Sequence, residues 1–235
     1  MALLAVAFVL LGFWQLDRHS QVRDANDEGR RRLAGEPVSL EEALDAADGD
    51  YESIRYTRVA VTGVYAPDDE VLIRSRVHPT LGAGFHVVTP LILEDGSAVL
   101  VNRGWVPLDM DTPPVAEAAP EPGELTVTGW VEPTQVRSAF GPADPAEGRL
   151  QRMNRIDVPR IARQLDYPVA PVYLVAEGVG EGLPEPVPPP TFDDLGPHLS
   201  YAIQWFAFAV IGLVGYGFLM RNRLRQTRAR SSTTS

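Results

Sequence analysis

Apolar positions gather in two blocks at the ends of the chain and in short runs between them. Tyr201 to Met220 is a 20-residue stretch without formal charge. A bilayer core about 30 Å thick takes about 20 residues of helix, so this block predicts a membrane span. It opens with Tyr201 and Trp205, suited to an aromatic belt. It closes with Arg221, Arg223 and Arg225, the mark of the cytoplasmic side. Residues 1–16 are apolar except for Gln15. At about 1.5 Å per residue they cover about 24 Å, short of a full span. No basic residue precedes the run. Its exit, Phe13-Trp14-Gln15-Leu16-Asp17-Arg18, is no small-residue cleavage site. The reading is an uncleaved anchor whose start lies upstream. Two spans with an inside tail put both termini in the cytoplasm and residues 17–196 outside it.

The middle of the chain predicts an α+β body. Asp17 to Ala34, rich in Arg, Asp and Glu, continues the first span as a helix. Ser39-Leu40-Glu41-Glu42 has capping-box spacing and starts a short helix. Strand-like runs follow at Val59–Tyr65, Val71–Arg76, Phe85–Leu93, Ala98–Asn102 and Leu125–Val131, divided by Gly, Pro or acidic clusters. Glu94-Asp95-Gly96-Ser97 reads as a hairpin turn. Pro90 marks an edge strand or a bulge. Asp157 to Leu165 reads as a helix with Asp157 at its N-cap and Pro159 in its first turn. Pro171 to Ala176 returns to strand. Asp109 to Glu124 reads as a loop. Glu177 to Pro197, with its proline run, reads as a semi-rigid linker to the second span. The fold class expected is α+β, with two transmembrane helices flanking a mainly antiparallel β extracytoplasmic domain, a small barrel or sandwich. Its parts are residues 1–16, 17–196, 198–220 and a basic cytoplasmic tail, 221–235.

Composition removes whole classes of function. The chain has no Cys, so disulfides, thiolate metal sites and Cys nucleophiles are out. All 21 basic residues are Arg. Residues 17–196 hold 31 acids against 16 Arg, a net of −15, while 221–230 hold five Arg and no acid. So acidic a body is a poor nucleic-acid binder, because phosphate neutralisation needs cations.

Little catalytic chemistry is visible. There is no phosphate-binding Gly loop, no His-Glu-x-x-His pair and no Gly-x-Ser-x-Gly elbow. No nucleophile with a base beside it stands out, so an extracytoplasmic hydrolase finds no support. The four histidines, His19, His78, His86 and His198, form no close pair. His198 is the one singled out. It follows Gly196-Pro197, a good helix start, and shares a helical face with Tyr201, Trp205 and Phe208 at spacings of three and four. A ring nitrogen over an aromatic stripe suits a haem iron ligand. The plainer reading of the same pattern is a His among lipid headgroups beside an aromatic belt. Gln15 and Gln204, amides in or near apolar spans, either join the two spans or reach a bound cofactor. Asn102-Arg103-Gly104-Trp105 ends a strand, either as a Gly turn or as an Arg and an aromatic presented to a partner.

At these residues the chain resembles the SURF1 family. The similarity runs through Gly12-Phe13-Trp14-Gln15-Leu16-Asp17-Arg18, Val61-Thr62-Gly63-Val64-Tyr65 and the stretch from Gly84 through Thr89-Pro90 to Val101-Asn102-Arg103-Gly104-Trp105-Val106-Pro107. It continues in Val127-Thr128-Gly129-Trp130-Val131, Asn154-Arg155-Ile156-Asp157 and His198-Leu199-Ser200-Tyr201-Ala202-Ile203-Gln204-Trp205. The resemblance implies a non-enzymatic role in maturing the catalytic subunit of haem-copper cytochrome c oxidase, in a multi-pass protein of the cell membrane. It implies cytochrome c oxidase subunit 1 and the oxidase assembly machinery as partners. In some bacterial members of the family the role is linked to haem a, and the membrane-edge histidine of the family falls on His198. The cofactor residues this implies are His198 on iron, with Tyr201, Trp205, Gln204, Trp14 and Gln15 around it. Arg103 and Trp105 would belong to a partner-contact surface. A different class of function, a non-catalytic accessory subunit held in a respiratory supercomplex, accounts for the same two spans without a cofactor.

Overall fold

The structure is a computed structural model and describes residues 2–139, 141–178 and 182–231, with side chains placed from residue 3 to residue 223. It divides into two compact units. One holds Met1–Glu28 and Thr191–Ser235, the other Gly29–Pro190.

The first unit is helical. Helix α1, Ala2–Leu33, contains no Pro and runs unbroken from the apolar block through the charged segment. Three Arg in its last turn complement the negative end of the helix dipole. The last helix, His198–Ser231, starts on Gly196-Pro197 as expected. Its His198–Arg223 portion is long and apolar enough to cross a membrane. It is the one helix among the described residues that meets this test, so of the two spans expected, the first already short in sequence, only the second meets it. The apolar part of α1 stops at Asp17, which is too early.

The second unit is a seven-stranded mixed sheet. Its elements are α2 (Leu40–Ala47), β1 (Arg58–Tyr65), β2 (Val71–His78), β3 (Gly82–Ile92), β4 (Ala98–Pro107), β5 (Glu124–Pro133), β6 (Arg152–Met153), α3 (Val158–Ala162) and β7 (Val169–Ala176). The helix His198–Ser231 is α4. The strand order is β1-β5-β7-β4-β3-β2-β6, and a further β1–β3 pairing returns the sheet on itself. Five strands thus form a closed ring, with β2 and β6 continuing from β3 outside it. The β4–β7 and β2–β6 pairs are parallel, and the others are antiparallel. Ring closure depends on Gly63, since a Cβ there would run into the carbonyl oxygen of Ile92. Closure also removes two sheet edges.

Alternation along the strands sorts side chains into two layers. On β4, Val99 and Val101 point into the ring. There they meet Val59, Leu91, Val131 and Leu174, with Leu40, Ala43 and Ala47 of α2 packed against the same cluster. Ser39 caps α2, its Oγ accepting from the Glu42 N–H at 3.1 Å. Leu100 points outward to Val88, Met153, Ile156 and Ile161, so β6 and α3 cover the outer face. Asp157 caps α3 as expected, although the helix ends at Ala162. Pro90 lies in β3 between the end of the β2 pairing and the start of the β1 pairing, where its missing N–H leaves no gap in either ladder.

Two expected loops turn out to be tied down. Val115 and Ala118, within Asp109–Glu124, are buried with Leu72, Phe85, Val87 and Val106. The proline-rich segment is not a free spacer, because Glu185 exchanges both backbone hydrogen bonds with Trp105, at 2.7 and 2.8 Å.

Candidate functional site

Seven-residue spacing organises the helical unit. Ala5 and Gly12 on α1 and Ala202 and Ala209 on α4 are all buried, in a unit where most large apolar side chains are exposed. Small residues at this interval let two helices approach closely. The Phe206 ring lies over Gly12, where an added Cβ would come within 2.6 Å of it. Around this seam Phe13 meets Phe206 edge-on at 5.4 Å, and Phe8 stacks on Trp205 at 5.6 Å. Phe208 completes a three-ring cluster with Phe8 and Trp205.

The approach to α4 is held by polar contacts. Asn26 of α1 donates to the carbonyls of Phe192 and Asp194, at 3.1 and 3.0 Å. The Asp194 carboxylate accepts from the Gly196 N–H at 2.7 Å. Gly196 takes the left-handed φ of 65°, which turns the chain into the helix. The Pro197 carbonyl then accepts the first helical bond, from Tyr201.

This turn puts His198 beside Gln15. The imidazole Nδ1 lies 3.0 Å from Gln15 Oε1, with both side chains half-buried. The pair sits where both helices change from charged to apolar sequence, next to Asp17 and Arg18 on α1 and at the first residue of α4. With Oε1 as acceptor, Nδ1 carries the proton, and Nε2 is left with a lone pair. A hydrogen bond of this kind, on the nitrogen away from a metal, fixes the tautomer and ring orientation of a ligating His. Sequence reasoning flagged both residues but joined Gln15 to Gln204. Gln204 is instead exposed, and Gln15 is taken by His198.

The aromatic stripe divides. Trp205 turns into the cluster with Phe8, a residue that sequence reasoning missed. The only signal for Phe8 was its place midway between Ala5 and Gly12. Tyr201 stays 45% exposed and Trp14 58% exposed, so each presents a free ring surface near the turn to charged sequence.

Arg103 and Trp105 belong to the other unit, and their placement corrects two expectations. Asn102 to Trp105 does not end a strand. It lies in the middle of β4, where Val87 pairs with Gly104 and Val88 with Asn102, leaving Arg103 as the extra residue of a bulge. Gly104 takes φ 139°, and a Cβ there would run into the Glu185 carbonyl. Alternation from Val99 and Val101 puts Arg103 on the inward face, over Tyr65. Its side chain is 8% exposed and pairs with Glu70 at 3.4 Å. It donates to the Ala118 carbonyl at 2.6 Å and lies over the Tyr65 ring. Glu70 accepts from the Val115 N–H and the Thr89 hydroxyl as well, both at 2.9 Å. Burial raises its carboxyl, and these donors and the Arg103 charge oppose the rise. Trp105 is 4% exposed, with Nε1 directed at the Arg76 carbonyl at 3.4 Å. Both side chains are held largely within the sheet unit, with Arg103 on the wall of an open cavity there.

Comparison with known proteins gives a consistent picture. A model of the SURF1 family matches residues 2–210. An uncharacterized SURF1-like protein of Mycobacterium tuberculosis is 30% identical over 236 residues, covering 97% of this chain and 85% of its own length. A SURF1-like protein of Monosiga brevicollis is 32% identical over 241 residues, with coverage of 94% and 87%. Surfeit locus protein 1 of Takifugu rubripes is 32% identical over 152 residues, covering 58% of this chain and 62% of its own.

Proposed function

The chain belongs to the SURF1 family, and we propose on that footing that it is an assembly factor for haem-copper cytochrome c oxidase. It acts on the catalytic subunit, subunit 1, during maturation, and carries out no catalytic turnover of its own. It is anchored in the cell membrane by α4 and by the apolar part of α1. Leu3, Val6, Leu10 and Phe13 of α1 and Ile203, Val210, Ile211 and Val214 of α4 are each more than half exposed. So much apolar surface on paired helices is suited to lipid, and would be a liability in water. The Arg-rich end of α4 faces the cytoplasm, and the acidic sheet unit lies outside it.

The observation that carries the cofactor reading is the His198–Gln15 hydrogen bond of 3.0 Å at the membrane-edge turn. It orients His198 and leaves Nε2 as a ligand nitrogen, the donor type that haem iron takes from imidazole. The donor set therefore fits a haem iron, and haem a is the haem that the family resemblance implies. His198 would hold the iron and Gln15 would orient His198. Tyr201 and Trp14 would offer exposed flat surface beside the ring and Gln204 an exposed amide, while Trp205 stays in the cluster with Phe8. Iron, when bound, supplies an acceptor for the His198 lone pair. The protein's own part is to keep that lone pair aimed until the oxidase subunit takes over.

Deleting the gene tests the assembly reading. Cytochrome c oxidase activity and the amount of assembled subunit 1 in membranes are expected to fall while the subunit 1 transcript is unchanged. Normal activity and normal subunit 1 would contradict it.

A further inference from the structure

The sheet unit carries an open cavity of about 530 Å³ that the assembly reading does not use. It lies between the end of β5, the segment after it, Arg76 of β2, Arg155 after β6 and Tyr173 of β7. Its volume falls in the range of small-molecule sites, about 300–1,000 Å³.

Its charges are unevenly matched. Four guanidinium groups line it, those of Arg55, Arg76, Arg137 and Arg155, against the carboxylates of Glu52 and Glu132. Both carboxylates are paired with Arg55, at 3.9 and 2.9 Å. Arg155 stands 3.9 Å from Asp144 and 3.7 Å from Asp157. Asp144 is already engaged by the backbone and side-chain nitrogens of Asn154, and Asp157 caps α3. Arg76 and Arg137 make no ion pair among the described residues.

Arg76 is the unusual member. Its Nη2 donates to Gln135 Oε1 at 3.0 Å, and its buried Nε has no acceptor. The Nε of Arg155 is buried without one too. An Arg does not shed its proton in a protein, so a partly buried guanidinium without a carboxylate is a standing cost unless an anion comes to it. Neutral donors are in place alongside. Gln135 Nε2 donates to the Tyr173 hydroxyl at 2.9 Å, which leaves the hydroxyl hydrogen free for another acceptor. Guanidinium forks match the two oxygens of a carboxylate. Glu52 and Glu132 on the wall disfavour a more concentrated charge such as phosphate.

We propose that this cavity binds a small organic carboxylate, with Arg76, Arg137 and Arg155 as its cationic contacts and Tyr173 as a neutral donor. The site is independent of His198 and of the haem reading.

The test is thermal unfolding of the full chain in detergent with succinate as probe. Inorganic phosphate and sodium chloride serve as comparison arms at equal ionic strength. Succinate is expected to raise Tm by several degrees and to saturate, as ligand linkage requires. Arg76→Gln should weaken succinate binding at least tenfold while leaving the unliganded Tm equal or higher, because it removes a partly buried charge that has no carboxylate partner. Arg137→Gln, at an exposed position that the fold does not need, should weaken binding three- to tenfold. A chloride effect equal to that of succinate, or an unchanged succinate shift in both variants, would overturn the proposal. A stronger response to phosphate than to succinate would overturn the ligand class.

Discussion

Arg103→Met removes one partner of a buried ion pair while keeping much of the side-chain volume. Glu70, 1% exposed, would remain with the Val115 N–H and the Thr89 hydroxyl but without a cation. It has two courses. It can stay ionised and unpaired, at about 3–5 kcal/mol. Or it can take up a proton, at about 1.4 kcal/mol for each pH unit above its wild-type folded value, which burial already holds above 4.5, so less than about 3.4 kcal/mol at pH 7. The lost hydrogen bond to the Ala118 carbonyl adds about 1 kcal/mol at any pH. The variant should therefore be up to about 4 kcal/mol less stable at pH 7. A carboxyl raised in the folded state binds its proton more tightly there than in the unfolded chain. Its destabilisation is absent below the usual value of 4.5 and grows as pH rises towards the folded one. At pH 5 the loss should be about 2 kcal/mol smaller than at pH 7. Urea unfolding of the full chain in detergent would measure it, followed by the fluorescence of the buried Trp105 and Trp130. A loss below about 0.5 kcal/mol at pH 7, or a loss constant from pH 5 to 7, would refute the reasoning.

Two other expectations concern the sheet unit. His86 is pushed down to about 4 by burial and then by the Arg76 charge, from a usual 6.5. It stays neutral in the fold, accepting from Asn102 at 3.1 Å, so its contribution is full above pH 6.5 and is lost as pH falls towards 4. Wild type should lose about 2–3 kcal/mol through it over that window. His86→Asn should flatten that part of the pH profile of urea unfolding. Gly63→Val should oppose ring closure, because the new side chain meets the Ile92 carbonyl and the Leu91 side chain. A loss of about 3 kcal/mol or more is expected, and calorimetry showing a Tm within a degree of wild type would contradict it.

What could be read from the sequence follows the range of the interactions involved. The β1, β3 and β5 runs, the capped helices at Ser39 and Asp157 and the helix start at Gly196-Pro197 rest on local patterning and capping, and they stand where expected. The β2–β3 hairpin beyond Arg76 was missed because Gly82, Ala83 and Gly84 carry no strand signal. Their pairing comes from Arg76, Val77 and His78 of β2 and from Pro107 of β4, across the sheet. Arg103 and Trp105 looked like surface residues because a bulge is set by strand register, which no short window contains. His198 and Gln15 were visible as polar residues at apolar boundaries. Their pairing spans 183 positions of sequence and became visible only with both helices in place.

The central claim is that the His198–Gln15 site serves haem a on its way into the oxidase. The most direct measurement is the reduced-minus-oxidised spectrum of membranes from a deletion strain complemented with wild type or with His198→Ala. The account predicts a reduced haem a band in the deletion strain, restored by wild type and not by His198→Ala expressed at the same level. A band that deletion leaves unchanged would contradict the assembly role. Full restoration by His198→Ala would contradict the site.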